Sequence, residues 1–68
     1  MDKCTTCDTV LDDVKVEQSN RQVLSDLPNE SGGYDIEDQY DVLIGWCPTC
    51  RTARRWEHYQ DGRESAQW

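Results

Sequence analysis

Apolar residues in this chain come in short runs that alternate with polar ones, and nowhere recur clearly at helical spacing. Val14 and Val16 alternate with Lys15 and Glu17, so residues 9–17 read as a strand. Tyr40, Val42, Ile44 and Trp46 repeat with period two and make 39–46 the clearest strand. Leu43 predicts partial burial on its opposite face, and Gly45 permits a close backbone approach. Between these runs, Gln18-Ser19-Asn20 reads as a turn. Val23 and Leu24 fit either a second short strand or one helical turn over 20–26, and Leu27-Pro28 ends that element. Residues 28–38 read as a solvated acidic loop that flexes at Ser31-Gly32-Gly33.

Residues 51–59 admit two patterns. As a strand, Thr52, Arg54, Trp56 and His58 share one side, and Arg51, Ala53, Arg55, Glu57 and Tyr59 the other. As a helix, Ala53, Trp56 and Tyr59 form one stripe with Gly62 as its stop. We take the strand as the expectation. The pattern then gives one domain over residues 1–60 and a loose tail over 61–68, whose terminal Trp68 either docks or hangs free.

Size decides what must hold such a domain. The chain has 68 residues, 35% of them hydrophobic and none Phe. So small an apolar core barely offsets the conformational entropy lost on folding, and domains of this length usually rely on a metal or on disulfides. The four cysteines supply the means. They form two Cys-x-x-Cys pairs, Cys4/Cys7 and Cys47/Cys50, separated by residues 8–46. Two disulfides would call for an export signal, yet Met1-Asp2-Lys3-Cys4 enters the first pair with no apolar stretch before it. We therefore expect reduced thiols in the cytoplasm. No apolar run approaches the length of a membrane span.

A Cys-x-x-Cys turn sets two sulfurs on one side of a tight loop, and two such turns complete a tetrahedral Cys4 site for one metal, expected to be zinc. Four thiolates around Zn2+ carry a formal charge of about -2, to be met by backbone N–H groups aimed at sulfur. Pro48 sets the entry to the second turn. With no open coordination position, the metal is expected to be structural rather than catalytic, contributing on the order of 10 kcal/mol to folding.

Charge adds a second asymmetry. Fourteen acids face seven bases, a net of -7, with Asp outnumbering Glu and Arg outnumbering Lys. An Asp-rich, Lys-poor surface suits a protein that must stay soluble in molar salt. Residues 8–45 hold ten acids and two bases, whereas 46–60 hold Arg51, Arg54 and Arg55 against Glu57 alone. The only basic cluster thus follows the second Cys pair, interleaved with Trp46, Trp56, His58 and Tyr59.

Cys4-Thr5-Thr6-Cys7 and Cys47-Pro48-Thr49-Cys50, in a short, acidic, Lys-poor chain, resemble the zinc ribbons. More narrowly, the chain is similar to the small one-domain zinc-finger proteins with Cys-Pro-x-Cys-Gly-like motifs of salt-loving archaea. The resemblance implies a metal-stabilised, mostly-β fold of three or more antiparallel strands, one structural Zn2+, and a regulatory or adaptor role in binding protein or nucleic acid. Trp46-Cys47-Pro48-Thr49-Cys50 also resembles the second half of a rubredoxin iron site, which would imply electron transfer. Rubredoxins, however, place Gly after each second cysteine, where this chain has Asp8 and Arg51. Arg tolerates left-handed backbone angles less well than Asp. A second knuckle that turns differently, with a treble-clef helix over 51–60, therefore stays open as the alternative fold.

These features predict a non-catalytic binding module. Arg51, Arg54, Arg55, Trp56 and Tyr59 form the expected contact face, for a protein partner through Trp and Tyr beside Arg. The alternative is a nucleic acid, with the three arginines on phosphates and Trp56 or Tyr59 stacked on a base. The competing expectation for Trp46 and Trp56 is a miniature core over the metal. His58 is the only histidine and reads as a surface residue, without a partner for nucleophilic catalysis. No membrane or small-molecule substrate is expected, and the pattern sets no oligomeric state.

Overall fold

The computed structural model of the protein describes residues 2–68. Three strands, β1 (Asp12–Leu24), β2 (Ile36–Cys47) and β3 (Thr52–Tyr59), form one antiparallel sheet in the order β1-β2-β3. No helix occurs among the described residues. With its four cysteines clustered, this is a small, metal-stabilised mostly-β domain of the zinc-ribbon kind. Residues 51–60 thus hold a strand, and the helical alternative falls away. β3 runs in unbroken register along β2 from Tyr40↔Tyr59 to Cys47↔Thr52.

β1 is longer than its sequence pattern predicts. The expected turn at Gln18-Ser19-Asn20 does not form, and Val23 and Leu24 continue the same strand. Instead β1 keeps pairing with β2 through several register shifts, two of them flanking Asp13 and Asn20. Those residues adopt left-handed φ of 53° and 56°. Asn and Asp are the non-Gly residues that accept such angles most readily, so a bulge replaces a turn. The Asn20 N–H donates to Asp41 Oδ1 at 3.1 Å, which ties the second irregularity to β2. β2 likewise begins at Ile36, inside the stretch read as loop.

The core is minute. Cys4, Leu11, Val42, Cys47 and Trp56 are the buried hydrophobic residues, and four of them, all but Val42, form one cluster against which Cys7, Leu43 and Cys50 pack. The cluster around the cysteines therefore lies on the Leu43 face of β2, while on the face of Tyr40, Val42, Ile44 and Trp46 only Val42 is buried. Trp46 is 45% exposed, whereas Trp56 is 1% exposed, so only one of the two tryptophans covers the cysteines. Gly45 lies on the core face under Leu11 and Val14. A Cβ there would come within 2.9 Å of Leu11 Cβ and 3.0 Å of Val14 Cγ2.

The last eight residues do not form the loose tail expected from sequence. They turn at Gly62, whose φ is +93°, and run back along the outer edge of β3. Tyr59 N–H donates to the Arg63 carbonyl at 2.8 Å and Glu57 N–H to Ser65 Oγ at 2.8 Å. Arg55 and Trp68 exchange backbone hydrogen bonds of 2.9 and 3.1 Å. Alternate outward N–H groups of β3 thereby find acceptors, and an otherwise open sheet edge is closed.

The Gly45 contacts generate a test. Gly45→Ala should destabilise the metal-loaded protein by about 1–3 kcal/mol, because Leu11 is anchored between the cysteines and cannot retreat. Gly33→Ala, whose Cβ meets only Asn29 at ordinary contact distance, should stay within about 0.5 kcal/mol of the parent. Denaturant midpoints of the two variants measure the contrast. Equal midpoints would contradict the packing.

Candidate metal centre

Each cysteine pair sits on a tight backbone loop. In the first, Cys4 N–H donates to the Thr9 carbonyl at 2.8 Å and Asp8 N–H to the Cys4 carbonyl at 2.7 Å, while Lys3 bridges Val10 in a miniature hairpin. The second loop joins β2 to β3 directly. Asp8 and Arg51, the residues following each second cysteine, take φ of 59° and 53°. The two knuckles therefore turn the same way. Arg51 adopts the left-handed conformation that Gly would take freely, a conformation costing an L-residue about 1–2 kcal/mol. The alternative of a differently turned second knuckle thus falls away. The strand pairing on one side and the converging sulfurs on the other leave Arg51 no alternative.

The four Sγ atoms lie within 4.8 Å of one another. Cys7 to Cys47 is 3.4 Å, Cys7 to Cys50 is 3.6 Å, and Cys4 to Cys50 is 3.9 Å. A tetrahedron with metal–sulfur bonds of about 2.3 Å has edges of about 3.8 Å. The cluster therefore has the dimensions of a tetrahedral thiolate site, and all four cysteines are free of disulfides. Cys4 and Cys47 are fully buried, Cys7 and Cys50 partly so.

The surroundings of the first pair favour thiolate. Burial pushes the Cys4 thiol up, but the N–H groups of Cys7 and Thr6 and the neighbouring sulfurs outweigh it and bring it down to about 6. Cys7 is lowered chiefly by the Thr9 hydroxyl, 3.2 Å from its sulfur. Cys50 N–H donates to Cys47 Sγ at 3.3 Å. For Cys50 the Arg54 guanidinium favours the thiolate, yet the crowd of Cys7, Cys47 and Cys4 sulfurs prevails and raises it to about 11. Sulfurs this close cannot all ionise on their own, because each added charge repels the others. A bound cation removes that conflict, and the donor set fits a soft or borderline metal that takes four sulfurs.

Several supports were not legible from sequence. Thr9 Oγ1 and Thr49 Oγ1 are 2.9 Å apart and join the two knuckles directly. From the C-terminal segment, Gln67 accepts the Thr5 N–H at 3.0 Å and donates to the Lys3 carbonyl at 2.6 Å, clamping the first knuckle. Glu64 Oε2 accepts the Trp56 indole N–H at 3.0 Å and lies 3.1 Å from His58 Nδ1. His58 points to this carboxylate and takes no part in the sulfur cluster. The threonines stand among the motif residues in the sequence. Nothing in the sequence marks Gln67, because its role arises only when the chain end folds back.

The expected contact face is dispersed. Trp56 is core. Arg54 lies against the sulfurs of Cys50 and Cys4, which hold its guanidinium in the charged form, and Arg54 Nη2 donates to Thr6 Oγ1 at 3.3 Å. Its Nε is buried without a hydrogen-bond partner, which leaves the neighbouring sulfurs as the groups that would compensate the guanidinium once a metal holds them as thiolates. Arg55 is on the opposite side of the sheet, with its Nε donating to both Glu17 oxygens at 3.0 and 3.1 Å. Tyr59 donates to Glu57 Oε1 at 2.8 Å, packs on Tyr40 with ring centroids 5.2 Å apart, and carries the Arg63 guanidinium 4.8 Å above its ring. Only Arg51, beside the second knuckle, is exposed as expected.

Arg54 is accordingly part of the metal centre rather than a free surface cation. Arg54→Gln should lower metal affinity about 10- to 100-fold in a chelator competition, the scale for groups directly behind metal ligands, while Arg54→Lys retains part of it. Unchanged affinity in Arg54→Gln would contradict the assignment. Comparison with protein families, with curated proteins and with solved structures gives no match for this chain.

Proposed function

We propose that the protein is a zinc-stabilised, non-catalytic binding module, a regulatory or adaptor protein that works by contact with another protein. The observation that carries this reading is the closed sulfur cluster. All four positions of a tetrahedral site come from Cys4, Cys7, Cys47 and Cys50, so substrate has no way onto the metal. Zinc, with no geometric preference of its own, suits a site shaped by two unlike chain segments, and four reduced cysteines suit a cytoplasmic setting. The acid-rich surface suits a cell interior of high salt.

Protein is the better-supported partner. Two of the three arginines expected to meet phosphate are engaged, Arg54 with the cysteines and Arg55 with Glu17. What remains exposed is strongly acidic, which repels a nucleic-acid backbone.

Two measurements on the natively purified protein test the reading. Metal analysis should find one zinc per chain in a colourless preparation; coloured protein carrying iron would replace the module with an electron carrier. Affinity capture at native salt should retain its partner after nuclease treatment. A partner lost with nuclease would transfer the function to nucleic-acid binding.

A further inference from the structure

The molecule is drawn out to 51 × 18 × 17 Å, and its two ends differ in kind. The cysteines occupy one end. β3 accompanies β2 only as far as Tyr40, so the β1–β2 hairpin runs on as a two-stranded arm toward the other end. Five large apolar residues are exposed on that arm and its loop: Leu27 at 78%, Tyr34 at 54%, Ile36 at 50%, Leu24 at 48% and Val23 at 38%. Leu24 and Ile36 face each other across the ribbon. None of the five joins the core cluster around the cysteines.

The loop that displays them is built rather than slack. Asn29 Oδ1 accepts the N–H groups of Ser31 and Gly33 at 3.0 Å each, and Asn29 N–H donates to the Gly33 carbonyl at 2.6 Å. Ser25 and Asp35 close its base, with Ser25 N–H on the Asp35 carbonyl at 2.9 Å and Asp35 N–H on Ser25 Oγ at 3.1 Å. The apolar side chains are thus held out in a defined arrangement, at an entropy cost already met by folding.

Charge specifies what they meet. Residues 22–50 contain six acids and no Lys or Arg. Arg63 reaches from the C-terminal segment to Asp38 at 2.8 Å, and no ion pair among the described residues lies nearer the tip. Asp26, Glu30, Asp35 and Glu37, all exposed, are therefore interspersed with the apolar group along the same segment as its acidic neighbours. At low ionic strength, where the charges are unscreened, a second copy of this chain would bring the same acids against them and be repelled.

We infer that the hairpin tip is a docking surface for a protein whose apolar surface is ringed by Lys and Arg. The inference rests on the reading of the protein as a binding module and names the part that binds. Leu27 and Tyr34 are the anchors, and the acids set orientation and approach.

The test follows backbone amides of the metal-loaded, 15N-labelled protein by NMR at low salt. Three synthetic peptides serve as probes: an amphipathic Leu/Lys helix, the same helix with Glu for Lys, and the same helix with Ser for Leu. The Leu/Lys peptide should shift amides of residues 22–37 and bind about tenfold or more tightly than either control, as expected when both anchors and charges contribute. The double variant Leu27→Ser, Tyr34→Ser should lose that preference by a similar factor while its metal content and the amide shifts of both knuckles stay as in the parent. The inference is overturned if the Ser/Lys peptide binds equally well, if shifts spread over residues 12–21, or if the double variant binds unchanged. It is also overturned by concentration-dependent dimerisation that the double variant abolishes, which would assign the tip to a second copy. Failure here is distinguishable from failure of the module itself. A nuclease-resistant partner captured equally by the parent and the double variant would keep the module and discard the tip.

Discussion

Four sulfurs brought to tetrahedral spacing from two distant segments of the chain are the constraint on which this structure depends. Cys4 and Cys7 precede the sheet, and Cys47 and Cys50 join β2 to β3, so a metal between them closes a loop of some forty residues. Of the five buried hydrophobic residues, two are cysteines of this cluster. Leu11, Leu43 and Trp56 pack around the sulfurs and would have little to pack on without them. Burial of so few side chains offsets only a small part of the entropy of ordering the chain, whereas structural metal sites contribute on the order of 10 kcal/mol.

The rest of the fold can be understood as support for that charge-dense centre. A metal dication with four thiolates holds an excess of negative charge, which the structure answers with N–H groups of the knuckles, with the Thr9 hydroxyl and with the Arg54 guanidinium. The Thr9–Thr49 contact and the Gln67 clamp then hold the two knuckles in relation to one another and to the chain end. The returning C-terminal segment serves both purposes. It supplies Gln67 and closes the open edge of β3, so it braces the end of the molecule that carries the cysteines.

The sequence was legible where chemistry is local. Cys-x-x-Cys spacing identified all four candidate ligands, and period-two alternation placed β2, whereas residues 51–59 fitted a strand or a helix until their pairing with β2 decided it. It misled where a long-range partner decided the outcome. Gln18-Ser19-Asn20 has the composition of a turn, yet β2 is long enough to pair beyond it, and one left-handed Asn absorbs the mismatch as a bulge. Alternation in β2 set Tyr40, Val42, Ile44 and Trp46 on one face, of which only Val42 is buried. The core formed on the other side, because that is where Cys47, Leu11 and Trp56 converge. Arg54 read as a surface cation because it stands in one basic cluster with Arg51 and Arg55, whereas in the fold it lies against the sulfurs of Cys4 and Cys50. The C-terminal segment gave no periodic signal, since it is held to β3 by backbone groups together with the polar side chains of Glu64 and Ser65.

The resulting division of labour runs along the long axis: a metal-bound base that carries the stability, and an extended, acidic hairpin that carries little of it. Such an arm can vary in its surface without endangering the fold, provided the metal holds. The most direct measurement of that condition is the amide NMR spectrum of the metal-loaded protein before and after a strong chelator in excess, followed by return of the metal. The account predicts that the dispersed β-sheet resonances collapse to those of an unfolded chain and reappear with one equivalent of metal. A chelated protein that keeps its dispersed spectrum would contradict it.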